Sequence, residues 1–149
     1  SLDYKILNKI LTVNLESAIQ IASLVSKIMI KKNSGKIINI GSIWSEISKS
    51  KRSVYSASKS GLIGATRGIA IDLAKNNILV NSISPGFVKT ELTKKNLSKG
   101  EIKKIKKQIP LKRFANVEEI TNCVVFLSSN KNTYINGQNI IVDGGFSIG

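Results

Sequence analysis

The sequence contains no histidine, one cysteine (Cys123), two prolines and only 5% aromatic residues. The lack of histidine and the single cysteine exclude Ser–His triads, Cys–His dyads, zinc fingers and disulfide frameworks, so no metal site is expected. Any catalysis by this chain must therefore use Ser, Tyr, Lys, Asn, Asp or Glu side chains.

Acidic residues are also scarce: 9 Asp and Glu stand against 23 Lys and Arg, which gives a formal net charge of +14. Such a charge can indicate a nucleic-acid partner. Here the lysines are spread along the chain, with clusters at 31–33, 49–52 and 103–107, and aromatic residues do not interleave with them as stacking platforms would. We therefore predict a lysine-rich solvated surface and no nucleic-acid partner.

No uninterrupted apolar run approaches the roughly 20 residues that a membrane span needs. The first ten residues also lack the basic, apolar and small-residue order of a signal peptide. The sequence therefore predicts no membrane association and a cytoplasmic location.

The hydrophobic pattern alternates between helical and strand-like segments. Helical spacing predicts a long helix over 7–30, buried on more than one side, and a second over 54–75. Two capping-box patterns predict short helices over 98–108 and 116–127. Apolar runs predict buried parallel strands over 36–42, 78–84 and 139–142. With no repeat or linker, residues 1–149 are predicted to be one unit, half of a doubly wound α/β fold.

Two residues at the start of the second helix have a chemically useful spacing. Tyr55 and Lys59 are four residues apart, so their side chains share one face of the helix. A phenol ionises near pH 10, and a nearby ammonium favours the phenolate, which makes such a pair suited to acid–base catalysis. Ser42 ends the preceding strand, and ligands of open α/β sheets bind beyond the carboxyl ends of strands.

These residues occur in an order that resembles the short-chain dehydrogenase/reductase family, most closely its 3-oxoacyl-(acyl carrier protein) reductase type. The resemblance extends over nearly the whole chain. Its motifs are Asn14 within Thr-Val-Asn-Leu, Asn39-Ile-Gly-Ser42, Tyr55-Ser-Ala-Ser-Lys59, Val80-Asn-Ser-Ile-Ser-Pro85-Gly86, Thr90, Tyr134-Ile-Asn-Gly137-Gln and Val142-Asp-Gly-Gly145.

The resemblance implies a role for each matching residue in a hydride transfer between a nicotinamide cofactor and a carbonyl or alcohol. Tyr55 would be the general acid/base, Lys59 would promote its ionisation and hold the nicotinamide ribose, and Ser42 would bind the substrate oxygen. Asn14 would hold a water that relays protons towards Lys59. The other implied contacts are Pro85, Gly86, Val88 and Thr90 for the cofactor, with Trp44 and Phe87 flanking the substrate.

Nothing in residues 1–40 resembles the glycine-rich cofactor turn of the family. The chain is therefore expected to be the C-terminal part of a Rossmann-type domain within a larger polypeptide, with the strand over 36–40 left as an apolar edge. The residue that chooses between NAD and NADP would lie in the absent part, so either cofactor is compatible. The family also implies a small-molecule or carrier-bound carbonyl substrate and a homodimer or homotetramer.

Two other functions fit the same residues. A non-catalytic remnant or pseudoenzyme would keep the two long helices, which correspond to those that pack between subunits in the family. A basic nucleic-acid-binding module is supported by the net charge alone.

Overall fold

A computed structural model of the protein describes residues 3–149, apart from the side chain of Lys94. Ser1 and Leu2, part of the stretch tested for a signal peptide, lie outside the described residues. The elements, in chain order, are α1 (Tyr4–Leu11), a π-helical turn (Thr12–Glu16), α2 (Ser17–Lys32), β1 (Gly35–Ile40), a 3₁₀ turn (Ile43–Ser45), α3 (Ser53–Ala74), β2 (Ile78–Pro85), α4 (Glu91–Asn96), α5 (Lys99–Gln108), α6 (Val117–Ser128) and β3 (Asn139–Val142).

The three strands form a parallel sheet in the order β1-β2-β3, which confirms the predicted α/β class. Gly35 pairs with Ile78 and Ile40 with Ile83, while Pro85 pairs with Val142. Because all three strands run in the same direction, their carboxyl ends meet at one edge of the sheet. Within the described residues β1 is an edge strand, as the sequence predicts, and Ile40 at its end is 48% exposed.

Helices cover both faces of the sheet, and the side-chain alternation of β2 decides which residues contact which helix. Ile78 and Val80 pack against Ala70 and Leu73 of α3. Ile83 points to the opposite face and packs with residues of α6, namely Ile120 and Leu127. A central parallel strand buried on both faces reads as a continuous apolar run, which is why the strand was recognisable in the sequence.

The segment 134–138, between α6 and β3, is hydrogen-bonded to β2. Asn136 Oδ1 accepts a hydrogen bond of 2.8 Å from the backbone N–H of Val80, and Gly137 N–H donates one of 2.8 Å to the Val80 carbonyl. The buried Asn81 amide donates to Ile135 O at 2.7 Å and accepts from Gln138 N–H at 3.0 Å. These contacts satisfy buried polar groups and set the start of β3 against β2.

The long N-terminal helix differs from its prediction in burial. Residues 4–32 form one continuous helix, but its buried residues are Ala22 and Ser26 alone. Val13, Ile21, Leu24 and Ile28 are exposed. The prediction that this helix is buried on more than one side is therefore wrong for the described chain: one side contacts α3 and β1, and the opposite side faces no other described element.

By length and composition alone, the helix Tyr4–Lys32 is also apolar enough to cross a membrane. The core helix of a soluble protein passes the same test, so this property alone does not distinguish between a bilayer and another apolar surface. Charged residues at Lys9, Glu16 and Lys27 interrupt the apolar run. The expectation of no membrane association therefore stays a prediction.

Both predicted capping boxes are confirmed. Ser98 and Glu101 cap α5 reciprocally, and at the start of α6 the N–H of Asn116 donates a hydrogen bond of 2.8 Å to the Glu119 carboxylate. Glu119 also forms a bidentate pair with Arg113, with both N–O distances at 2.7 Å. The pair with Arg113 is the main reason that the pKa of Glu119 is lowered to about 2, and the hydrogen bond from Asn116 N–H adds to it.

We predict that Glu119→Gln lowers thermal stability at neutral pH and that its difference from the wild type disappears in acid. The pKa of Glu119 is depressed in the folded state, so its stabilisation is present above the unfolded value of 4.5 and is lost as the pH falls towards 2. Thermal melts between pH 7 and pH 2 measure this. Glu118→Gln removes the same charge from the same helical turn without the Arg113 pair, and an equal effect of both variants would contradict the assignment.

Candidate active site

Tyr55 and Lys59 lie in the first two turns of α3, as their spacing predicts. The Lys59 ammonium lies 6.0 Å from the centre of the Tyr55 ring and donates a hydrogen bond of 2.8 Å to the carbonyl of Ile40. That carbonyl belongs to the last residue of β1, so the bond ties the lysine to the carboxyl edge of the sheet. Desolvation lowers the pKa of the partly buried Lys59 below its ordinary value.

Ser42 lies two residues beyond β1 and is buried. Its hydroxyl oxygen accepts a hydrogen bond of 3.3 Å from the backbone N–H of Trp44, at the start of the 3₁₀ turn. The Ser45 hydroxyl donates to the Ser42 carbonyl at 2.6 Å. Since its oxygen accepts from Trp44, the hydroxyl proton of Ser42 is available for donation to another group.

Asn14 lies in the π-helical turn, which the sequence analysis did not anticipate. Its amide donates a hydrogen bond of 3.1 Å to the hydroxyl of Ser58, and that hydroxyl donates one of 2.7 Å to the carbonyl of Tyr55. Isolated π-helical turns are rare and are frequent at functional sites. The structure thus connects Asn14 to α3 through Ser58, and its predicted water near Lys59 stays a prediction.

A cleft of about 430 Å³ opens at the carboxyl edge of the sheet. Six of the residues singled out in the sequence line it: Ser42, Trp44, Tyr55, Gly86, Phe87 and Val88. Residues of α4, of α5 and of the link between them also line it: the apolar Leu92, Leu97 and Ile105 and the polar Thr93 and Asn96. Lys59, Asn14, Pro85 and Thr90 do not line this cleft.

Phe87 is held in an aromatic cluster at the wall of the cleft. Its ring meets Trp44 edge-on at 6.2 Å, stacks on Phe114 at 5.4 Å and meets Phe146 edge-on at 5.2 Å. Edge-on and stacked contacts at these separations are favourable. Phe114 and Phe146 come from distant parts of the chain, so no local pattern in the sequence connects them with the site.

The Pro85-Gly86 end of β2 lies against the end of β3. The N–H of Gly86 donates 3.0 Å to Val142 O, and a Cβ at Gly86 would lie 2.7 Å from Asp143 Cβ and 2.8 Å from its Cα. Burial alone would raise the pKa of Asp143, but hydrogen bonds from Ser147, Gly145 and Phe146 N–H outweigh it and hold the pKa below its usual value. The ionised Asp143 thus braces the segment that Gly86 contacts.

Thr90 has a structural use that its motif did not indicate. Its hydroxyl oxygen caps α4 by accepting 3.1 Å from the N–H of Thr93, and the Thr93 hydroxyl donates 2.8 Å to Val88 O. The predicted contact of Thr90 with a cofactor stays a prediction.

Comparison with known proteins identifies the family. The family model described as Enoyl-(Acyl carrier protein) reductase matches residues 1–147. The chain is 46% identical over 136 residues to a 3-oxoacyl-(acyl-carrier-protein) reductase of Buchnera aphidicola subsp. Schizaphis graminum, covering 91% of this chain and 55% of the relative. The chain belongs to the short-chain dehydrogenase/reductase family. It is also 37% identical to the 3-oxoacyl-(acyl-carrier-protein) reductase of Escherichia coli, over 93% of this chain and 56% of that one.

Solved structures of dehydrogenases share the fold. A gluconate 5-dehydrogenase from Burkholderia cenocepacia, in complex with NADP and tartrate, superposes with a TM-score of 0.95 at 30% identity, covering all of this chain and 59% of that one. An acetoin dehydrogenase from Enterobacter cloacae gives a TM-score of 0.87 at 31% identity, with 98% and 57% covered. This short-chain dehydrogenase/reductase chain spans about half the length of the curated relatives it matches.

Seven lining residues of the cleft were not among the site residues predicted from the sequence, and two of them, Lys49 and Arg52, are cations. Lys49 and Arg52 line the cleft beside Tyr55, although the charge pattern of residues 49–52 predicted only a solvated surface. Their only signal in the sequence of this short-chain dehydrogenase/reductase was position, because they lie in the loop between Ser42 and Tyr55.

We predict that Gly86→Ala destabilises the protein by about 1–3 kcal/mol, as overpacking of a rigid contact does. The added methyl would meet the Cα of Asp143, and backbone cannot yield as a flexible side chain does. Gly100→Ala is the matched control, because nothing lies within 4 Å of its added Cβ and Ala is the better helix former in α5. Thermal or urea denaturation of both variants measures the difference, and equal stability would refute the close contact.

Proposed function

We propose that these residues form the catalytic part of an NAD(P)-dependent oxidoreductase that reduces a carbonyl, or oxidises the matching alcohol, with Tyr55 as general acid/base. The observation that carries the proposal is that Ser42 and Tyr55 line one cleft at the carboxyl edge of a parallel sheet, with Lys59 beside Tyr55. The curated relatives named as 3-oxoacyl-(acyl-carrier-protein) reductases support a 3-oxoacyl thioester as substrate.

The three side chains divide the work at the reacting oxygen. Within the described residues the Tyr55 hydroxyl has no hydrogen-bond partner in the protein, so it is available to donate its proton to the substrate oxygen. Ser42 donates a second hydrogen bond to that oxygen. Its own oxygen accepts from Trp44 N–H, so its hydroxyl proton is left for the substrate. Two positioned donors stabilise the negative charge that develops on oxygen during reduction.

Lys59 supports the phenolate that remains on Tyr55 after proton donation. The Lys59 ammonium lies 6.0 Å from the centre of the Tyr55 ring, close enough to attract the negative charge that develops on the phenol oxygen. Desolvation lowers the pKa of Lys59, so its ammonium releases a proton more readily than that of an exposed lysine. Such a group is suited to passing a proton back towards Tyr55, and Asn14 would hold the water that resupplies it.

The residues at this edge of the sheet fit the nicotinamide end of a dinucleotide. An ammonium next to the cleft provides donors for ribose hydroxyls, and the Pro85, Gly86 and Val88 backbone lies at the end of β2, where dinucleotides bind in such sheets. Thr90 would reach the carboxamide or a phosphate. The bound cofactor supplies or accepts the hydride, and the proposal covers NAD and NADP equally.

A homodimer in the cytoplasm is part of the proposal. The exposed side of the helix 4–32 presents Val13, Ile21, Leu24 and Ile28, and α3 presents Ile71. An unpartnered apolar surface of this kind favours subunit association. The alternative, a non-catalytic dimerising module, would use the same surface, so dimerisation alone does not separate the two functions.

We predict that Leu24→Glu shifts the protein from dimer to monomer, whereas Ile148→Glu does not. Leu24 is 63% exposed on the helix face, and Ile148 is 90% exposed at the opposite end of the chain. A charge at a buried subunit contact is costly because it must be desolvated. Sedimentation velocity measures the change. An unaltered dimer in Leu24→Glu would contradict the assignment of the subunit interface to this helix face.

The catalytic proposal is tested with Tyr55→Phe in the natural polypeptide that contains this sequence. We expect kcat for reduction of a 3-oxoacyl thioester to fall about 10²–10⁴-fold, because the general acid is removed and the ring is kept. Circular dichroism should show an unchanged fold, and Tyr134→Phe, at a fully exposed ring, is the control for loss of a phenol. Equal turnover by Tyr55→Phe and wild type would refute the role of Tyr55, and a wild type without turnover would favour the non-catalytic module.

A further inference from the structure

Two cations at the mouth of the cleft come from one tight turn. The N–H of Arg52 donates 3.2 Å to the carbonyl of Lys49, and Lys51 between them has a left-handed φ of 64°. Arg52 is also the residue that precedes α3, with its carbonyl accepting 2.8 Å from Ser56 N–H. The backbone position of both cations is therefore set by the turn and by the start of the catalytic helix.

Both side chains lie over aromatic rings of the site. The Lys49 ammonium is 5.3 Å from the centre of the Trp44 ring, and the Arg52 guanidinium carbon is 5.8 Å from the centre of the Tyr55 ring. Cation–π contacts at such distances are weakly attractive at exposed sites, so they favour side chains folded over the cleft. Arg52 is thus placed next to the phenol that the proposed reaction uses.

The charges around the cleft are not balanced from within it. No carboxylate is among the lining residues in the part of the chain that the structure describes. The acid that faces Lys49 is Glu101 of α5, and its carboxylate already accepts two hydrogen bonds from Ser98, at 2.8 and 2.7 Å. Arg52 has no ion pair with any described carboxylate, and Lys59 adds a further positive charge beside Tyr55.

We infer that the cleft binds a carbonyl or alcohol substrate that carries an anionic group a few bonds from the reacting carbon, held by Arg52 with Lys49 beside it. The planar guanidinium suits the paired oxygens of a carboxylate or phosphate. Leu92, Leu97 and Ile105 also line the cleft, together with Thr93 and Asn96, and these three apolar side chains suit the hydrocarbon part of the same molecule. The inference rests on the proposed reaction, because it takes the reacting oxygen to lie at Tyr55 and Ser42, and it adds anionic carbonyl compounds to the uncharged 3-oxoacyl thioesters as substrates.

The test uses the natural polypeptide with cofactor and three probes: acetoacetate, its uncharged methyl ester, and dihydroxyacetone phosphate. The measured quantity is the ratio of kcat/KM for each anion to that for the ester. We expect Arg52→Gln to lower the acetoacetate ratio about tenfold, the loss of one exposed charge-assisted contact. Arg52→Lys keeps the positive charge but loses the planar guanidinium, so its acetoacetate ratio should lie between those of the wild type and Arg52→Gln. Lys131→Gln, an exposed lysine outside the cleft, is the control and should leave the ratio unchanged.

The two anionic probes identify the group. A loss with acetoacetate alone assigns a carboxylate, a loss with dihydroxyacetone phosphate alone assigns a phosphate, and a loss with both assigns a general anion site. A ratio that stays constant with both anions would overturn the inference. If kcat/KM falls equally for the anions and the ester, the ratio is also constant, and the loss indicates a structural role of the turn.

A binding measurement separates this inference from the proposed function. Isothermal titration of acetoacetate and dihydroxyacetone phosphate into Tyr55→Phe reports binding without turnover. Weaker binding of either anion in Tyr55→Phe/Arg52→Gln, with an affinity that also falls as salt is raised, supports the anion site even if the wild type is inactive. Unchanged binding of both anions refutes it even if Tyr55 is catalytic.

Discussion

The burial of β2 is the constraint on which the rest of the structure depends. This strand is paired on both edges, by β1 and β3, and covered on both faces, by α3 and α6. Parallel strands cannot be joined by a tight turn, so each must be reached through a helix that crosses the sheet. The same crossovers bring the ends of β1, β2 and β3 to one edge, where the polar residues that follow each strand are close together.

Helix α3, which carries Tyr55 and Lys59, is positioned by that edge and not by its own sequence alone. Lys59 reaches back to the carbonyl of Ile40 at the end of β1, and Asn14 reaches the start of α3 through Ser58. These contacts come from β1 and from the π-helical turn, and Tyr55 lines the same cleft as Phe87, which the aromatic cluster holds. Polar contacts of this kind orient a side chain, whereas the apolar packing of α3 on β2 supplies the stability.

The elements with strong local signals were predictable. Strand β2 reads as a continuous apolar run, and the capping boxes at Ser98 and Asn116 are satisfied within one helical turn, so both follow from short stretches of sequence. The π-helical turn at Asn14 was not predictable, because it carries no residue pattern that separates it from an α-helix. The short helix α4 was missed for a related reason: it is six residues long and is stabilised by its Thr90 cap and by contacts outside it.

The exposed face of the helix 4–32 illustrates the same limit from the other side. Apolar residues at helical spacing predict that a helix face packs against another surface, but they do not identify that surface. In the described chain this face has no partner. The sequence by itself determined the order of the strands and of the longer helices, and it identified Ser42, Tyr55 and Lys59 as candidate site residues, since these depend on local spacing and chemistry. Only the tertiary structure decided that Lys49 and Arg52 line the cleft beside Tyr55, that Thr90 caps a helix, and that Phe114 and Phe146 support Phe87. These arrangements depend on a turn, a helix cap and packing between distant parts of the chain. The local periodicity of the sequence does not predict any of them.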